Sequence, residues 1–130
     1  NQSGIARGYY DIATLNAMHD KLRRLLSSHG AVIDMIAFCP HGPDDNCNCR
    51  KPKAGMCRDI AKRFEISLQG VPVIGDSLRD LIAANEVGAR PILVRTGKGE
   101  RTLEKGEGLE GVEIYDNLAA AVSALLEETE

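Results

Sequence analysis

Three cysteines and one histidine lie within eleven residues of the sequence and are followed at once by an arginine and a lysine. Thiolate sulfur and imidazole nitrogen are the ligands that Zn²⁺ prefers, and four of them complete a closed tetrahedral site. Two prolines and a glycine let the loop fold back on itself. The spacing C-x-H-x₅-C-x-C therefore predicts a structural zinc site with the ligands Cys39, His41, Cys47 and Cys49.

The alternatives for these cysteines are a disulfide framework in an exported protein and unrelated thiols. The chain has four cysteines, but Cys47 and Cys49 flank a single residue, and three of the four share one loop with a histidine. This arrangement suits a metal in a reducing cytosol better than paired disulfides. Four protein ligands leave no open position for water, so the predicted zinc is structural and not catalytic. Cys57 is interpreted as a buried or semi-buried thiol.

The two cations after the last ligand, Arg50 and Lys51, suit a phosphate group. Pro52 stiffens the chain after them, and a zinc site would stiffen it before them. A lysine binds phosphate as a point charge and an arginine as a bidentate fork. The alternative is plain surface charge. We interpret the loop as a zinc-held clamp that presents both cations to a phosphorylated substrate.

Two carboxylates follow an apolar stretch further along the chain. Asp76 comes directly after Val-Pro-Val-Ile-Gly, and Asp80 lies four residues later. Carboxylates there suit Mg²⁺, which prefers oxygen ligands. The spacing alone leaves Asp76 equally open between a metal ligand and a helix cap, and for Asp80 it favours a solvated helix residue. A second basic group is interpreted as charge for solubility: Arg95, Lys98 and Arg101.

The composition indicates one soluble, folded domain. A chain of 130 residues with 43% hydrophobic and 27% charged residues is typical of one globular domain. The net charge of −3 and an aromatic content of 4% argue against nucleic acid as a partner. The sequence shows neither a membrane span nor a secretory leader. We expect a cytoplasmic protein with a small-molecule substrate, no nucleic-acid or membrane partner and a monomeric state.

Helical and strand-like patterns alternate along the chain, which predicts an α/β fold. Such alternation indicates βαβ units and an open, doubly wound parallel sheet with helices on both faces. Active sites of these sheets lie beyond the carboxyl ends of the strands. Three candidate motifs fall there: the zinc loop after Phe38, Gly75-Asp76 after Ile74, and Arg95 to Lys98 after Val94. The predicted helices begin near residues 11, 53, 78 and 118, the predicted strands are 31–38, 71–76, 91–94 and 112–115, and the glycine-rich segment 95–111 is predicted to be a solvated connection.

The first predicted helix is amphipathic, with Asp11 as its cap and Gly30 at its end. Its two histidines, His19 and His29, are interpreted as ordinary helix residues. The residues predicted to face inward are Ile12, Leu15, Met18, Leu22, Leu25 and Leu26.

Together these stretches resemble the haloacid dehalogenase-like phosphatases, most closely the bacterial heptose 1,7-bisphosphate phosphatases, with the histidinol-phosphate phosphatases as nearest relatives. The zinc loop followed by Cys-Arg-Lys-Pro is specific to this branch, whereas Gly-Asp-x₃-Asp is common to the wider superfamily. The opening Asn-Gln-Ser-Gly-Ile-Ala-Arg-Gly favours the heptose enzymes over the histidinol relatives. The matching stretches are residues 1–8, 39–55, 73–80 and 93–97.

The resemblance implies a Mg²⁺-dependent phosphomonoesterase that removes the C7 phosphate through an aspartyl-phosphate intermediate, in the synthesis of ADP-heptose for lipopolysaccharide. It implies that Asp76 ligates Mg²⁺ and that Asp80 supports the metal site without binding the ion. It also implies that Lys51 stabilises the transferring phosphoryl group and that Arg50 recognises the sugar phosphate.

The resemblance extends to residues that the spacing does not single out. The substrate-binding loop of the family matches Asn1, Gln2 and Ser3. Ser77 occupies a position where some relatives carry lysine, and it is predicted to contact the substrate.

The sequence departs from the family in one respect, because it contains no D-x-D-G motif. In the family the two aspartates of this motif, on the first strand before the Asn-Gln loop, are the nucleophile and the general acid. We expect residues 1–130 to be one phosphatase domain, N-terminally incomplete, with the native polypeptide extending upstream of Asn1. A truly complete chain of this sequence would be inactive. The alternatives of another class are a non-catalytic zinc-stabilised binding domain and, less favoured by the acidic balance, a nucleic-acid-binding zinc module.

Overall fold

The computed structural model describes residues 1–129, which group into two compact units that divide between Arg50 and Lys51. Within the described chain, no helix is long and apolar enough to cross a lipid bilayer. The helices are α1 (Ile12–Ser27), α2 (Gly55–Phe64), α3 (Leu78–Glu86), α4 (Gly99–Lys105) and α5 (Leu118–Glu128), and the strands are β1 (Pro72–Gly75), β2 (Arg90–Val94) and β3 (Glu113–Tyr115).

In the first unit, α1 begins and ends as its sequence predicts. The Asp11 carboxylate accepts a hydrogen bond from the Thr14 backbone N–H at 2.8 Å and so caps the helix. Gly30, with φ +72°, turns the chain away after the last turn. The predicted burial of the apolar face is wrong for most of its residues. Leu15 is fully buried, but Met18 is 56% exposed.

The segment 31–38 contains no strand, so that prediction is wrong. The apolar run has the composition of a strand, but a strand also needs a neighbour that accepts and donates its backbone hydrogen bonds. No strand among residues 1–129 pairs with this segment. At its end the Phe38 ring lies 6.0 Å from the His19 ring, which gives this histidine an ordinary packing role.

The second unit contains a parallel sheet in the order β1-β2-β3. The central strand β2 carries three consecutive buried residues, Ile92, Leu93 and Val94, because both of its faces are covered. Helix α3 packs against β1 and β2, and α5 packs against β2 and β3. This arrangement, an open parallel sheet with helices on both sides, confirms the predicted fold class.

Residues 95–111 are more than a solvated connection, which corrects the prediction for this segment. They contain α4, whose Gly99 and Thr102 are buried. A Cβ at residue 99 would overlap the Val94 carbonyl oxygen, so only glycine lets the helix start this close to the end of β2. The helix ends at Gly106, which has φ +69°.

Candidate metal and phosphate sites

The four predicted zinc ligands lie together in the first unit. Their ligating atoms are all within 4.8 Å of one another. Cys39 Sγ lies 3.7 Å from Cys47 Sγ, 2.9 Å from Cys49 Sγ and 3.5 Å from His41 Nδ1. The four cysteines of the chain are free thiols, not disulfides. The spacing predicted which side chains would meet, and the structure brings these four together.

A tetrahedral zinc ion fits this donor set. With Zn–S bonds of about 2.3 Å, two sulfurs on one ion lie about 3.8 Å apart. The separation of 3.7 Å between Cys39 Sγ and Cys47 Sγ matches that value, whereas Cys39 Sγ and Cys49 Sγ, at 2.9 Å, lie closer together than two sulfurs on one ion. His41 Nδ1 closes the set at 3.2 Å from Cys49 Sγ. Three soft sulfurs and one imidazole are a donor set for zinc and not for Mg²⁺, which takes oxygen ligands.

The pKa values of two thiols in this cluster, Cys47 and Cys49, depart from the ordinary value in opposite directions. Burial raises the pKa of Cys49 to about 12, and the two neighbouring thiols act in the same direction. Burial also opposes ionisation of Cys47, but the Arg50 backbone N–H and the neighbouring thiols outweigh it and lower its pKa to about 6. A cation that binds to this cluster must displace the protons that its thiols still carry.

The loop is folded back by its own local hydrogen bonds. The Asp45 carboxylate accepts from the Gly42 backbone N–H at 2.7 Å, which closes a tight turn between the first two ligands and the last two. Asn46 adopts a left-handed conformation with φ +52°, a region that asparagine tolerates. Cys39 is fully buried, and its carbonyl oxygen accepts a hydrogen bond from Gln2 at 2.7 Å.

That last hydrogen bond also fixes the predicted substrate-binding loop. Residues 3–8 form turns, and the Gln2 side chain accepts a hydrogen bond from the Tyr10 hydroxyl. A Cβ at Gly4 would overlap the Tyr10 ring, so the ring packs on the bare backbone. The opening residues are therefore an ordered loop, anchored at Cys39 and Tyr10, and not a frayed terminus. Asn1 is exposed, and Gln2 and Ser3 are half-buried.

Arg50 directly follows the last zinc ligand and is half-buried. One of its guanidinium nitrogens, Nη1, is buried and has no hydrogen-bond acceptor within residues 1–129. A buried donor without an acceptor is costly and calls for a partner. An anionic oxygen is the acceptor that a guanidinium binds best.

In the second unit, Lys51 forms an ion pair with Asp80. The ammonium Nζ donates to Asp80 Oδ1, and the two side chains are 32% and 11% exposed. Asp80 is thus buried and paired, so the interpretation as a solvated helix residue is wrong. Its partner lies 29 positions away in the sequence.

The other oxygen of Asp80 organises the turn after β1. Oδ2 accepts from the backbone N–H groups of Asp76 and Ser77, both at 3.1 Å, and from the Ser77 hydroxyl at 2.9 Å. Ser77 is the cap of α3 and completes a capping box with Asp80. Burial raises the pKa of Asp80, but Lys51 and Ser77 outweigh it and hold the pKa below 3.8.

Asp76 stands at the carboxyl end of β1 and does not cap α3, because Ser77 does. Its Oδ2 accepts from the Lys98 backbone N–H at 2.9 Å. Within residues 1–129, Oδ1 receives no hydrogen bond. A carboxylate fixed through one oxygen with the other available is a suitable ligand for Mg²⁺.

Sequence reasoning placed residues 95–98 at the edge of the sheet where the site lies, but it missed the role of this segment and of Thr102 in holding Asp76. Gly97, the Lys98 backbone and Thr102 all contact this aspartate, whereas the sequence suggested only solubility for their charged neighbours. The signal that could have found them is the Thr-Gly-Lys-Gly sequence directly after a buried strand, since glycines there mark a close backbone approach. The side chains of Arg95, Lys98 and Arg101 are exposed, as expected.

Comparison with known proteins assigns this chain to a family. A model of the HAD-hydrolase-like family matches residues 48–121. The chain belongs to this family of haloacid dehalogenase-like hydrolases.

Two individual proteins are similar to nearly the whole chain. The chain is 56% identical over 128 residues to the D-glycero-beta-D-manno-heptose-1,7-bisphosphate 7-phosphatase of Bordetella bronchiseptica, covering 98% of this chain and 72% of the relative. It is 58% identical over 126 residues to the phosphatase of the same name from Pseudomonas putida, covering 97% and 71%.

Two solved structures share the fold. The D,D-heptose 1,7-bisphosphate phosphatase of B. bronchiseptica, complexed with magnesium and phosphate, superposes with a TM-score of 0.95 and 56% identity, covering 98% of this chain and 72% of that one. The corresponding phosphatase of Burkholderia thailandensis gives a TM-score of 0.75 and 45% identity, covering 97% and 71%.

Proposed function

We propose that this chain is part of a phosphatase that hydrolyses the C7 phosphate of D-glycero-beta-D-manno-heptose 1,7-bisphosphate. One observation carries the proposal from the geometry. At the carboxyl end of β1, Asp76 presents a carboxylate fixed by a backbone N–H, and next to it Asp80 holds the ammonium group of Lys51. A metal ligand and a fixed cation on one turn suit the transfer of a phosphoryl group. The choice of the heptose bisphosphate as substrate comes from the names of the relatives.

Asp76 is the residue that would hold Mg²⁺, with Asp80 supporting the turn from behind without binding the ion. When bound, Mg²⁺ neutralises negative charge on the phosphoryl group. The family's nucleophilic aspartate, on which an aspartyl-phosphate would form, is not among these residues. What this chain supplies is charge stabilisation and positioning.

Lys51 stabilises the phosphoryl oxygens as charge develops on them. The ion pair with Asp80 sets the direction of its side chain, so little reorganisation is needed when substrate arrives. Ser77 lies on the same turn as Asp76, and its hydroxyl donates a hydrogen bond to Asp80. Its place on this turn brings it into contact with the substrate.

Arg50 recognises the sugar phosphate through its guanidinium group. The buried nitrogen without an acceptor supports this role, since a phosphate oxygen would satisfy it. Cys49, the residue directly before Arg50, would be held by a zinc ion bound to the cluster, which would limit the movement of the backbone there. Asn1, Gln2 and Ser3 form the loop that contacts the sugar, in a conformation fixed by Cys39 and Tyr10. The enzyme works in the cytoplasm on precursors of lipopolysaccharide.

The test is phosphate release from heptose 1,7-bisphosphate and from histidinol phosphate, measured side by side on the polypeptide as its gene encodes it, with and without Mg²⁺. We expect Mg²⁺-dependent release and a kcat/KM at least about 10²-fold higher for the heptose substrate, because a site that hydrogen-bonds substrate hydroxyls discriminates against a compound that leaves its polar groups unpaired. A preference for histidinol phosphate would overturn the substrate. Zinc binding without phosphate release from either compound would favour the non-catalytic binding domain.

A further inference from the structure

We infer that the first turn of α4 positions the metal-binding carboxylate of Asp76, with Thr102 as the positioning residue. The inference rests on the proposed function, because it takes Asp76 as the ligand of Mg²⁺. It assigns a role in the reaction to a helix whose sequence indicated only a solvated connection.

Two hydrogen bonds join this turn to Asp76. The Lys98 backbone N–H donates to the Asp76 side chain at 2.9 Å, and the Thr102 hydroxyl donates to the Asp76 main-chain carbonyl at 2.9 Å. The carboxylate and the backbone of one residue are therefore held from the same helix. The partners are 22 and 26 positions away in the sequence, so the contact depends on tertiary packing.

Thr102 couples these two contacts to each other. Its side chain is buried, with the residue 8% exposed, so water cannot replace a lost hydrogen bond easily. Its backbone N–H donates to the Lys98 carbonyl at 3.0 Å, and the same carbonyl lies 3.2 Å from the Thr102 hydroxyl. The threonine thus holds both Asp76 and the residue whose N–H fixes the Asp76 carboxylate.

Gly97 lets the carboxylate approach this closely. It has φ +61°, and a Cβ at this position would overlap Asp76 Oδ2. The carboxylate is consequently packed against bare backbone, with Oδ2 engaged by Lys98 and Oδ1 left for an ion. Partners that hold a metal ligand in this way typically account for 10-fold to 100-fold in metal affinity or activity.

The inference predicts a defect in metal binding and not in chemistry. Thr102→Val keeps the shape of the side chain but removes the hydroxyl, so Asp76 should lose its main-chain anchor. We expect the Kd for Mg²⁺ and the apparent KM for Mg²⁺ to rise about 10-fold, with kcat at saturating Mg²⁺ within about 2-fold of the unaltered protein. Thr102→Ser restores a hydroxyl and should bring the Kd back to within about 2-fold.

The experiment is calorimetric titration of the purified polypeptide, as its gene encodes it, with MgCl₂ alone, accompanied by kinetics as a function of Mg²⁺ concentration. The matched control is Thr129→Val, which removes a hydroxyl bond of the same kind, to the Leu126 carbonyl at 2.8 Å, at the end of α5. Circular dichroism checks that each variant is folded. Gly97→Ala is an independent variant that displaces the same carboxylate. If Thr102→Val does not fold, the Mg²⁺ affinity of Gly97→Ala tests the inference instead.

Weakened Mg²⁺ binding in Thr102→Val and Gly97→Ala, with recovery in Thr102→Ser, supports the inference. Unchanged Mg²⁺ affinity in folded variants overturns it, as does a Thr102→Ser variant as defective as Thr102→Val, which would mean that side-chain volume and not the hydroxyl matters. Failure of the proposed function looks different, because the unaltered protein would then show no Mg²⁺-dependent phosphate release.

Discussion

Lys51 and Asp80 form an ion pair whose carboxylate also holds the start of α3. One carboxylate oxygen of Asp80 pairs with the Lys51 ammonium group. The other accepts hydrogen bonds from the backbone N–H groups of Asp76 and Ser77. Asp80 therefore fixes the cation and the turn that carries the metal ligand at the same time. A change at either partner should affect both stability and catalysis.

Replacing Lys51 by methionine should lower kcat by about 10²-fold to 10³-fold, as the loss of one stabilising group for developing charge typically does. It also leaves Asp80 without its cation, which should cost about 2 kcal/mol in the free energy of unfolding, less than for a fully buried pair because the lysine is partly exposed. Steady-state kinetics and urea unfolding measure the two effects.

The control for this variant is Arg58→Met, which breaks the ion pair with Glu86. Those two side chains are 59% and 43% exposed, so the loss should be below about 1 kcal/mol, without a change in kcat. A Lys51→Met protein that keeps the kcat of the unaltered enzyme would remove Lys51 from the mechanism.

The pH dependence of stability should carry the signature of Asp80. Lys51 and Ser77 hold its pKa below 3.8 in the folded protein, against the effect of burial, so the folded state favours the ionised form. The stabilisation is therefore fully present above pH 3.8 and is lost as the pH falls through the lower, folded pKa. Urea unfolding of the unaltered protein and of Asp80→Asn should differ equally at pH 7 and pH 5, and the gap should shrink below about pH 4. A gap that is still constant at pH 2 would contradict the assignment.

The zinc cluster should affect catalysis only by positioning Arg50, without taking part in the reaction. The double variant Cys47→Ala, Cys49→Ala removes two of four ligands, so we expect it to lose zinc and to move Arg50, raising KM and lowering kcat. A fall of about 10²-fold in kcat/KM is expected from such misplacement. Plasma mass spectrometry gives the zinc content. Cys57→Ala, a cysteine outside the cluster, should keep its zinc, and normal kinetics in a zinc-free double variant would refute the clamp.

Gly75 should tolerate no side chain, because a Cβ at this position would overlap the Asp80 side chain. Gly75→Ala should therefore displace Asp80, reduce kcat and destabilise the fold by about 1–3 kcal/mol, the usual cost of overpacking. Gly30→Ala is the matched control, since its Cβ meets nothing within 4 Å and only the positive φ is strained, at a cost of about 1 kcal/mol. Equal losses of kcat in the two variants would rule out the specific effect.

Features encoded by neighbours in sequence were predictable. Cys39 to Cys49 supply all four candidate zinc ligands from one loop, so residue type and spacing were enough to name them. The cap of α1 is also local, since the Asp11 carboxylate accepts a backbone hydrogen bond from the residue three positions ahead. The alternation of helical and strand-like patterns predicted the parallel sheet. Such patterns are also local, because the periodicity of apolar residues indicates which face of an element is buried.

Features that depend on a distant partner were not predictable. The apolar run at 31–38 has the composition of a strand but no pairing strand among the described residues. Thr102 lies in a hydrophilic, glycine-rich stretch, and only packing against Asp76 makes it buried. The sequence by itself thus determined the chemistry available to this protein: zinc ligands, two cations and two carboxylates. The tertiary structure alone decided that Asp80 pairs with Lys51 and that α4 holds Asp76, because those contacts join residues more than twenty positions apart.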